Sequence, residues 1–399
     1  MATLKPFRAL RPKPAEAPKV AAVPYDVVSA DEARALADGN PLSFLRVSRP
    51  ELELPAGADP YAASVYQRAA DNFAALRAQA LVLEDEPSVY FYRLRMGQHT
   101  QLGLTACFSL DEYDRDIIKK HERTRRDKED DRTRHMVALG AQTGPVFLTY
   151  RAHADIDRVA STATTAAPLY DFAAPDGVQH TVWRIGGRDR DALVSAFRSI
   201  PALYIADGHH RAASAARART ELKGSEEART MLAVAFPHDQ VQILAYNRTV
   251  KDLGGLQPVD FLEAIRARFE MEAGPAVPRR RGDIAMYFQG AWHTVRRVDR
   301  EASDPIGSLD VSVLQEHLLA PVLKIADVRT DKRIDFVAGA RGTAELQRLV
   351  DSGKAAVAFS LYPVSVSDLM GVADAGGIMP PKSTWFEPKL RDGLLIHVL

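Results

Sequence analysis

Hydrophobic and polar positions along this chain fall into short blocks that change period several times. Ser88 to Met96 and Gln101 to Leu110 are rich in apolar and aromatic residues and flank Gly97-Gln98-His99-Thr100, a spacing that predicts a β-hairpin. Before it, Ser29-Ala30-Asp31-Glu32 places a capping serine ahead of two acids and predicts a helix N-terminus. Tyr61 to Gln79 carries apolar residues at helical spacing. A highly charged run, Asp111 to His135, lies between the hairpin and an apolar strand over Pro145 to Tyr150, so an ordered helix pair is expected rather than a tail.

Beyond Tyr150 strands and helices alternate. The pattern predicts a strand over Gln179 to Ile185, a helix over Asp189 to Ser199, a strand over Leu203 to Ala206 and a helix over Arg211 to Lys223. Strands follow at Met231 to Phe236 and Val241 to Tyr246. Ala273 to Pro278 and Arg279-Arg280-Arg281 read as an exposed turn. After it come a hairpin from Ala285 to Val298 around Gly290, a helix near Val311 to Leu319, and strands at Ile334 to Val337 and Ala355 to Leu361. Hairpins mixed with β-α alternation predict an α+β fold rather than a doubly wound sheet.

At 399 residues the chain is too long for one ordinary core. The division expected is an N-terminal α/β subdomain with the hairpin over 1–110, a core over 111–250, and a C-terminal α+β subdomain over 251–399. The tail of the last should dock back on the body, because Trp385 and Phe386 want burial and residues 393–399 are largely apolar. Lys plus Arg equals Asp plus Glu at 52 each, which counts against a large nucleic-acid surface while leaving room for a local anion pocket. A single cysteine, Cys107, excludes a disulfide framework and a thiolate zinc cage. No stretch approaches the roughly 20 apolar residues of a membrane span, and the N-terminus lacks the apolar run of a signal peptide. The expected setting is cytoplasmic, with no membrane partner.

The segment with most chemistry is Leu203-Tyr204-Ile205-Ala206-Asp207-Gly208-His209-His210-Arg211. A strand, a glycine turn and a helix N-terminus in that order make an anion site, because first-turn N–H groups and the helix dipole both favour negative charge. Gly208 lets backbone approach a phosphate, and His209, His210 and Arg211 can neutralise it. The plainer alternative is a solvated Asp-Gly turn. A second group is His121-Glu122-Arg123-Thr124 with Lys128 and Arg132. It reads either as a surface helix laced with ion pairs or as a general base (Glu122) with two phosphate clamps. Pro24-Tyr25-Asp26 and the Met379 to Lys389 segment, with Lys382 and Lys389 facing a pocket, are further candidates. His317 reads as structural.

These motifs together resemble the proteins of unknown function grouped as family DUF1015. The resemblance spans nearly the whole chain: Pro24-Tyr25-Asp26-Val27, His121-Glu122, Thr124, Asp207 to Arg211, Tyr246-Asn247-Arg248, Arg333-Ile334-Asp335-Phe336 and Pro381-Lys382-Ser383-Thr384. More distantly, residues from about 110 to 225 resemble the core shared by ParB-type partition proteins, sulfiredoxins and free-serine kinases. That likeness implies a ParB/sulfiredoxin-like strand–turn–helix core over 111–250, elaborated by the N- and C-terminal subdomains. It departs from that pattern in the 60 or so residues between Tyr150 and the Asp-Gly turn.

The resemblance implies a small-molecule kinase that moves a phosphoryl group from ATP or ADP to the hydroxyl of free L-serine or a similar hydroxy amino acid. Glu122, Asp207 and His209 would be catalytic. Gly208, His209, His210, Arg211, Lys128 and Arg132 would hold phosphates. His121, Thr124, Tyr25, Asp26 and Lys382 would be accessory, and Asp207 would position Mg²⁺ or the hydroxyl. Two alternatives stay open: a ParB-like regulator that binds or hydrolyses a nucleotide, and a metal-dependent hydrolase built on His121, His209 and His210. Homo-oligomerisation is also left open.

Overall fold

Apolar residues at both parities of a strand require cover on both faces of its sheet. In Val89–Met96, Tyr90, Phe91, Tyr92 and Leu94 are all buried, and every residue of Val146–Tyr150 and Thr230–Pro237 is buried. These strands lie inside a nine-stranded mixed sheet. The computed structural model describes residues 1–55, 59–297 and 304–399. The fold is mixed α/β, with helices and several sheets. The chain divides into two units, one of residues 1–120, 124–241 and 388–399, the other of residues 121–123 and 242–387.

In the first unit the sheet runs in the order Ile118–Lys119, Leu203–Asp207, Val146–Tyr150, Thr230–Pro237, His99–Ser109, Val89–Met96, Gln179–Ile185, Tyr170–Ala173, with Leu4–Lys5 added beside His99–Ser109. Two pairings are parallel, Leu203–Asp207 with Ile118–Lys119 and Thr230–Pro237 with Val146–Tyr150. The others in this sheet are antiparallel. The expected hairpin forms, but its turn is only Gly97-Gln98, since Met96 already pairs with His99 and Gly97 takes φ 58°. One apolar cluster joins strand residues such as Leu148, Ile205 and Ala233 to Phe197, Leu193, Ile156 and the alanines Ala212, Ala215 and Ala218. Phe197 is wholly buried there, so truncating it to alanine costs about 3–5 kcal/mol. A second cluster gathers Phe44, Phe73, Leu76, Leu10 and Ile396. The helix Ala30–Ala37 starts at Ser29 with a complete capping box, as its sequence predicts.

The charged run does not form two adjoining helices. Leu110–Asp114 and Arg126–Leu139 are helical, but Ile118–Lys119 is a strand and residues 120–125 are irregular. Glu122 therefore lies between helices, because the β-branched Ile117-Ile118 pair draws the chain onto the sheet edge beside Leu203. The helix expected from Arg211 begins two residues earlier, at His209.

The second unit is built on a six-stranded antiparallel sheet in the order Phe269–Ala273, Ala291–Arg297, Ile284–Phe288, Val357–Leu361, Tyr246–Val250, Ile334–Ala338. The hairpin around Gly290 forms as expected; Val298, its expected last residue, lies outside the described residues. The strand expected over Val241 to Tyr246 is two, Gln242–Leu244 pairing with Trp385–Glu387 and Tyr246–Val250 entering the six-stranded sheet. Helices Pro258–Arg266, Gly342–Asp351 and Val366–Asp374 complete the unit, with Leu346 packed on Tyr287, Val337 and Ala358. Among the described residues no helix is long and apolar enough to cross a membrane.

Candidate functional site

Leu203–Asp207 is a buried strand whose pairing with Val146–Tyr150 shifts register between Ile205 and Asp207. The shift ends regular pairing as Asp207 enters the turn. Gly208 follows at φ 92°, ψ 30°, and the helix His209–Glu221 starts at once. Only glycine suits that position. Its backbone lies in the left-handed region, and a β-carbon there would stand 3.0 Å from Arg211 Nε and 3.1 Å from its Cζ. The helical ladder begins with Ala212 N–H donating to Gly208 O at 3.0 Å, so the first-turn N–H groups precede it. Alanines along the buried face let this helix sit close to the sheet.

Two cations meet Asp207. Lys389 Nζ donates to its Oδ2 at 2.9 Å, and Arg211 Nη2 stands 3.8 Å from its Oδ1. Burial alone would raise this carboxyl, but Lys389 first and Arg211 second hold it well below the usual carboxylate range. Arg211 is itself buried, folds back to donate to Pro145 O, and leaves its Nε without a hydrogen-bond partner among the described residues. Burial opposes its charge, yet Asp207, Asp26 and Asp392 outweigh that and push it up.

Beside the turn is a narrow cavity of about 40 Å³, enough for one or two waters, lined in part by Tyr25, Arg132, Arg211 and Asp392. Arg132 stacks over the Tyr25 ring at 4.2 Å and donates to Asp131 at 2.8 Å and to Ser48 O at 3.2 Å. Asp392 is 3% exposed, its Oδ1 has no hydrogen-bond partner among the described residues, and burial raises its carboxyl to about 7 despite Arg211. Gly144 passes so near that a β-carbon would stand 2.6 Å from Asp392 Oδ1. Two guanidiniums facing a carboxyl poised at neutral pH can bind an anion or exchange a proton with solvent.

Tyr25, Asp26, Thr124, Lys128, Arg132 and residues 207–211 all belong to the first unit. Thr124 donates to Glu129, and Lys128 donates to the Tyr61 hydroxyl at 3.2 Å. Arg125 N–H donates to His210 Nε2 at 3.0 Å, which fixes that nitrogen as an acceptor and the ring as neutral in this arrangement. His121, Glu122 and Lys382 belong to the second unit. There the buried His121 accepts through its carbonyl from Met379 N–H at 2.8 Å. Lys382, at φ 57°, holds its ammonium 5.5 Å from the Tyr246 ring.

Asp392 has no signal in the sequence, since its Arg-Asp-Gly context carries no distinctive spacing. Asp207 does not fit a Mg²⁺ ligand, because both its oxygens already face cations and a divalent ion would have to displace Lys389.

No curated protein sequence matches the chain. Solved structures give faint likenesses. A free serine kinase in complex with AMP is 12% identical, with 72% of this chain and 91% of that chain covered at a TM-score of 0.38. A conserved hypothetical protein from Pyrococcus furiosus is 14% identical, with 73% and 94% covered at 0.38. SbnI from Staphylococcus aureus with a C-terminal truncation is 11% identical, with 72% and 85% covered at 0.38. Likenesses at that score carry no argument about the site. The family described as "Protein of unknown function (DUF1015)" matches residues 4–312, and the chain belongs to that family.

Proposed function

We propose that this protein is a small-molecule kinase that transfers a phosphoryl group from ATP or ADP to the hydroxyl of free L-serine, giving O-phosphoserine. The observation that supports it best is the Asp207 to Arg211 turn. A buried strand ends in a left-handed glycine at the start of a thirteen-residue helix, with a lysine and an arginine gathered on the preceding acid. Such a turn suits the phosphates of a nucleotide through backbone N–H groups, the helix dipole and nearby cations.

In this reading His209 and Arg211 spread the charge that builds on the transferred group, which is the dominant work in phosphoryl transfer. Glu122 takes the proton from the serine hydroxyl while its oxygen bonds to the terminal phosphorus and the bond to the bridging oxygen breaks. The leaving nucleotide carries the released charge. Asp207 positions Lys389 and the turn rather than a metal. Residues 111–250 would then form the ParB/sulfiredoxin-like core, with 1–110 and 251–399 as flanking subdomains, in a cytoplasmic setting where nucleotide and free amino acid meet.

Glu122→Gln separates chemistry from binding. It should lower turnover by about 10²-fold or more while nucleotide affinity stays within error. Unchanged turnover in that variant removes Glu122 from the mechanism. The same turn would also serve a protein that only binds or slowly hydrolyses a nucleotide, and absence of phosphoserine alongside tight nucleotide binding would favour that reading.

A further inference from the structure

Tyr246-Asn247-Arg248 is a motif that the kinase reading leaves without a task, and in the second unit its guanidinium lies buried against the Lys382 carbonyl. Arg248 is 2% exposed and is among the largest fully buried side chains of the protein. A charge so placed normally has a carboxylate beside it. Among the described residues Arg248 has none: its nitrogens donate to the carbonyls of Tyr246 and, at 3.0 Å, Lys382, and its plane lies 5.4 Å from the Phe336 ring. Burial pulls its pKa down to about 9, with only Tyr246 working the other way. It therefore remains a cation at neutral pH.

This guanidinium lines a cavity of about 270 Å³ within the same unit. Gln315 lines it too. Its Nε2 donates to Ile325 O at 2.9 Å, while its buried Oε1 has no hydrogen-bond partner among the described residues. Gln315 opens a π-helical turn, Gln315–Leu319, a distortion that recurs at functional sites. Asp327 and Arg329 pair with each other at 2.9 Å on the cavity wall, and Val311, Leu319 and Pro380 supply apolar surface. An unneutralised buried cation, an acceptor without a donor and an acid thus share one small cavity.

We propose that this cavity is a binding site for a small free α-amino acid, with its carboxylate on Arg248 and its ammonium on Gln315 Oε1 and Asp327. The site does not rest on the kinase reading, because none of the side chains that would hold the ligand takes part in the proposed transfer. L-Alanine is the probe of choice, since it has no hydroxyl to phosphorylate. Titrated into the full chain by calorimetry, it should bind saturably, and propionate, which lacks the ammonium, should bind about tenfold more weakly or worse. Arg248→Met should abolish alanine binding. Should that variant fail to fold, Gln315→Leu and the surface change Asp327→Asn carry the test, and both should narrow the alanine-to-propionate ratio by about fivefold. No saturable alanine binding, equal binding of alanine and propionate, or unaltered ratios in both variants would overturn the proposal. Binding of inorganic phosphate in place of alanine, lost in Arg248→Met, would likewise overturn it and assign the cavity to an inorganic anion.

Discussion

Replacing Asp392 by asparagine should change how stability depends on pH more than it changes stability at any one pH. Burial holds the native carboxyl near 7, whereas an unfolded aspartate titrates near 3.9. The native state therefore binds the extra proton between those values, so this group's contribution falls as pH rises from about 4 to 7 and is flat above. Between pH 5 and pH 8 the linkage amounts to roughly 2–3 kcal/mol of lost stability. Asparagine cannot titrate, and the cost of any unmatched amide hydrogen is nearly constant with pH. The difference between Asp392→Asn and the parent should then move by that amount in favour of the variant on going from pH 5 to pH 8. Urea unfolding followed through Trp183, a first-unit tryptophan, in a background lacking Trp292 and Trp385 reports it. Parallel stability curves for parent and variant across that range would refute the claim that Asp392 keeps its proton up to neutral pH.

Other changes probe the turn and its supports. Gly208→Ala forces a side chain into a left-handed backbone and against Arg211, and should cost about 1–2 kcal/mol and weaken nucleotide binding in a filter or calorimetric assay. Lys389→Met strands the Asp207 carboxylate beside Arg211 alone and should destabilise the protein by roughly 3 kcal/mol in thermal or urea unfolding. Asp207 in the parent is held below its unfolded value, so its contribution is present above about pH 4 and is lost as pH falls. An acid titration of Lys389→Met should show a shallower loss there than the parent. Gly144→Ala, crowding Asp392, should shift the Asp392 titration in a carboxyl-labelled NMR spectrum while leaving the second unit's resonances in place.

Much of the fold was legible where pattern and punctuation agree. The capping serine at Ser29, the hairpin around Gly97 and the strand–glycine–helix sequence at Gly208 each combine a period with a residue that only one backbone geometry favours. Boundaries failed where a local preference competed with sheet pairing. Ile117-Ile118 went to the sheet edge and took the middle of the charged run out of helix, and Ala245 divided one expected strand between two sheets. At the site, Asp207 to Arg211 was readable because its chemistry is contiguous. Lys389 on Asp207 and Asp392 beside Arg211 join residues more than 180 positions apart, and no spacing rule reaches that far. Nor did sequence show that Arg248 would be buried without an acid, since β-strand burial of an arginine depends on what the sheet packs against.

The most direct measurement is the reaction itself. The purified 399-residue protein is incubated with L-serine and either ATP or ADP, and the products are followed by mass spectrometry. O-phosphoserine should accumulate in step with the dephosphorylated nucleotide, and Gly208→Ala should suppress both. Nucleotide left intact with every serine concentration, or consumed with no phosphoserine formed, would contradict the account.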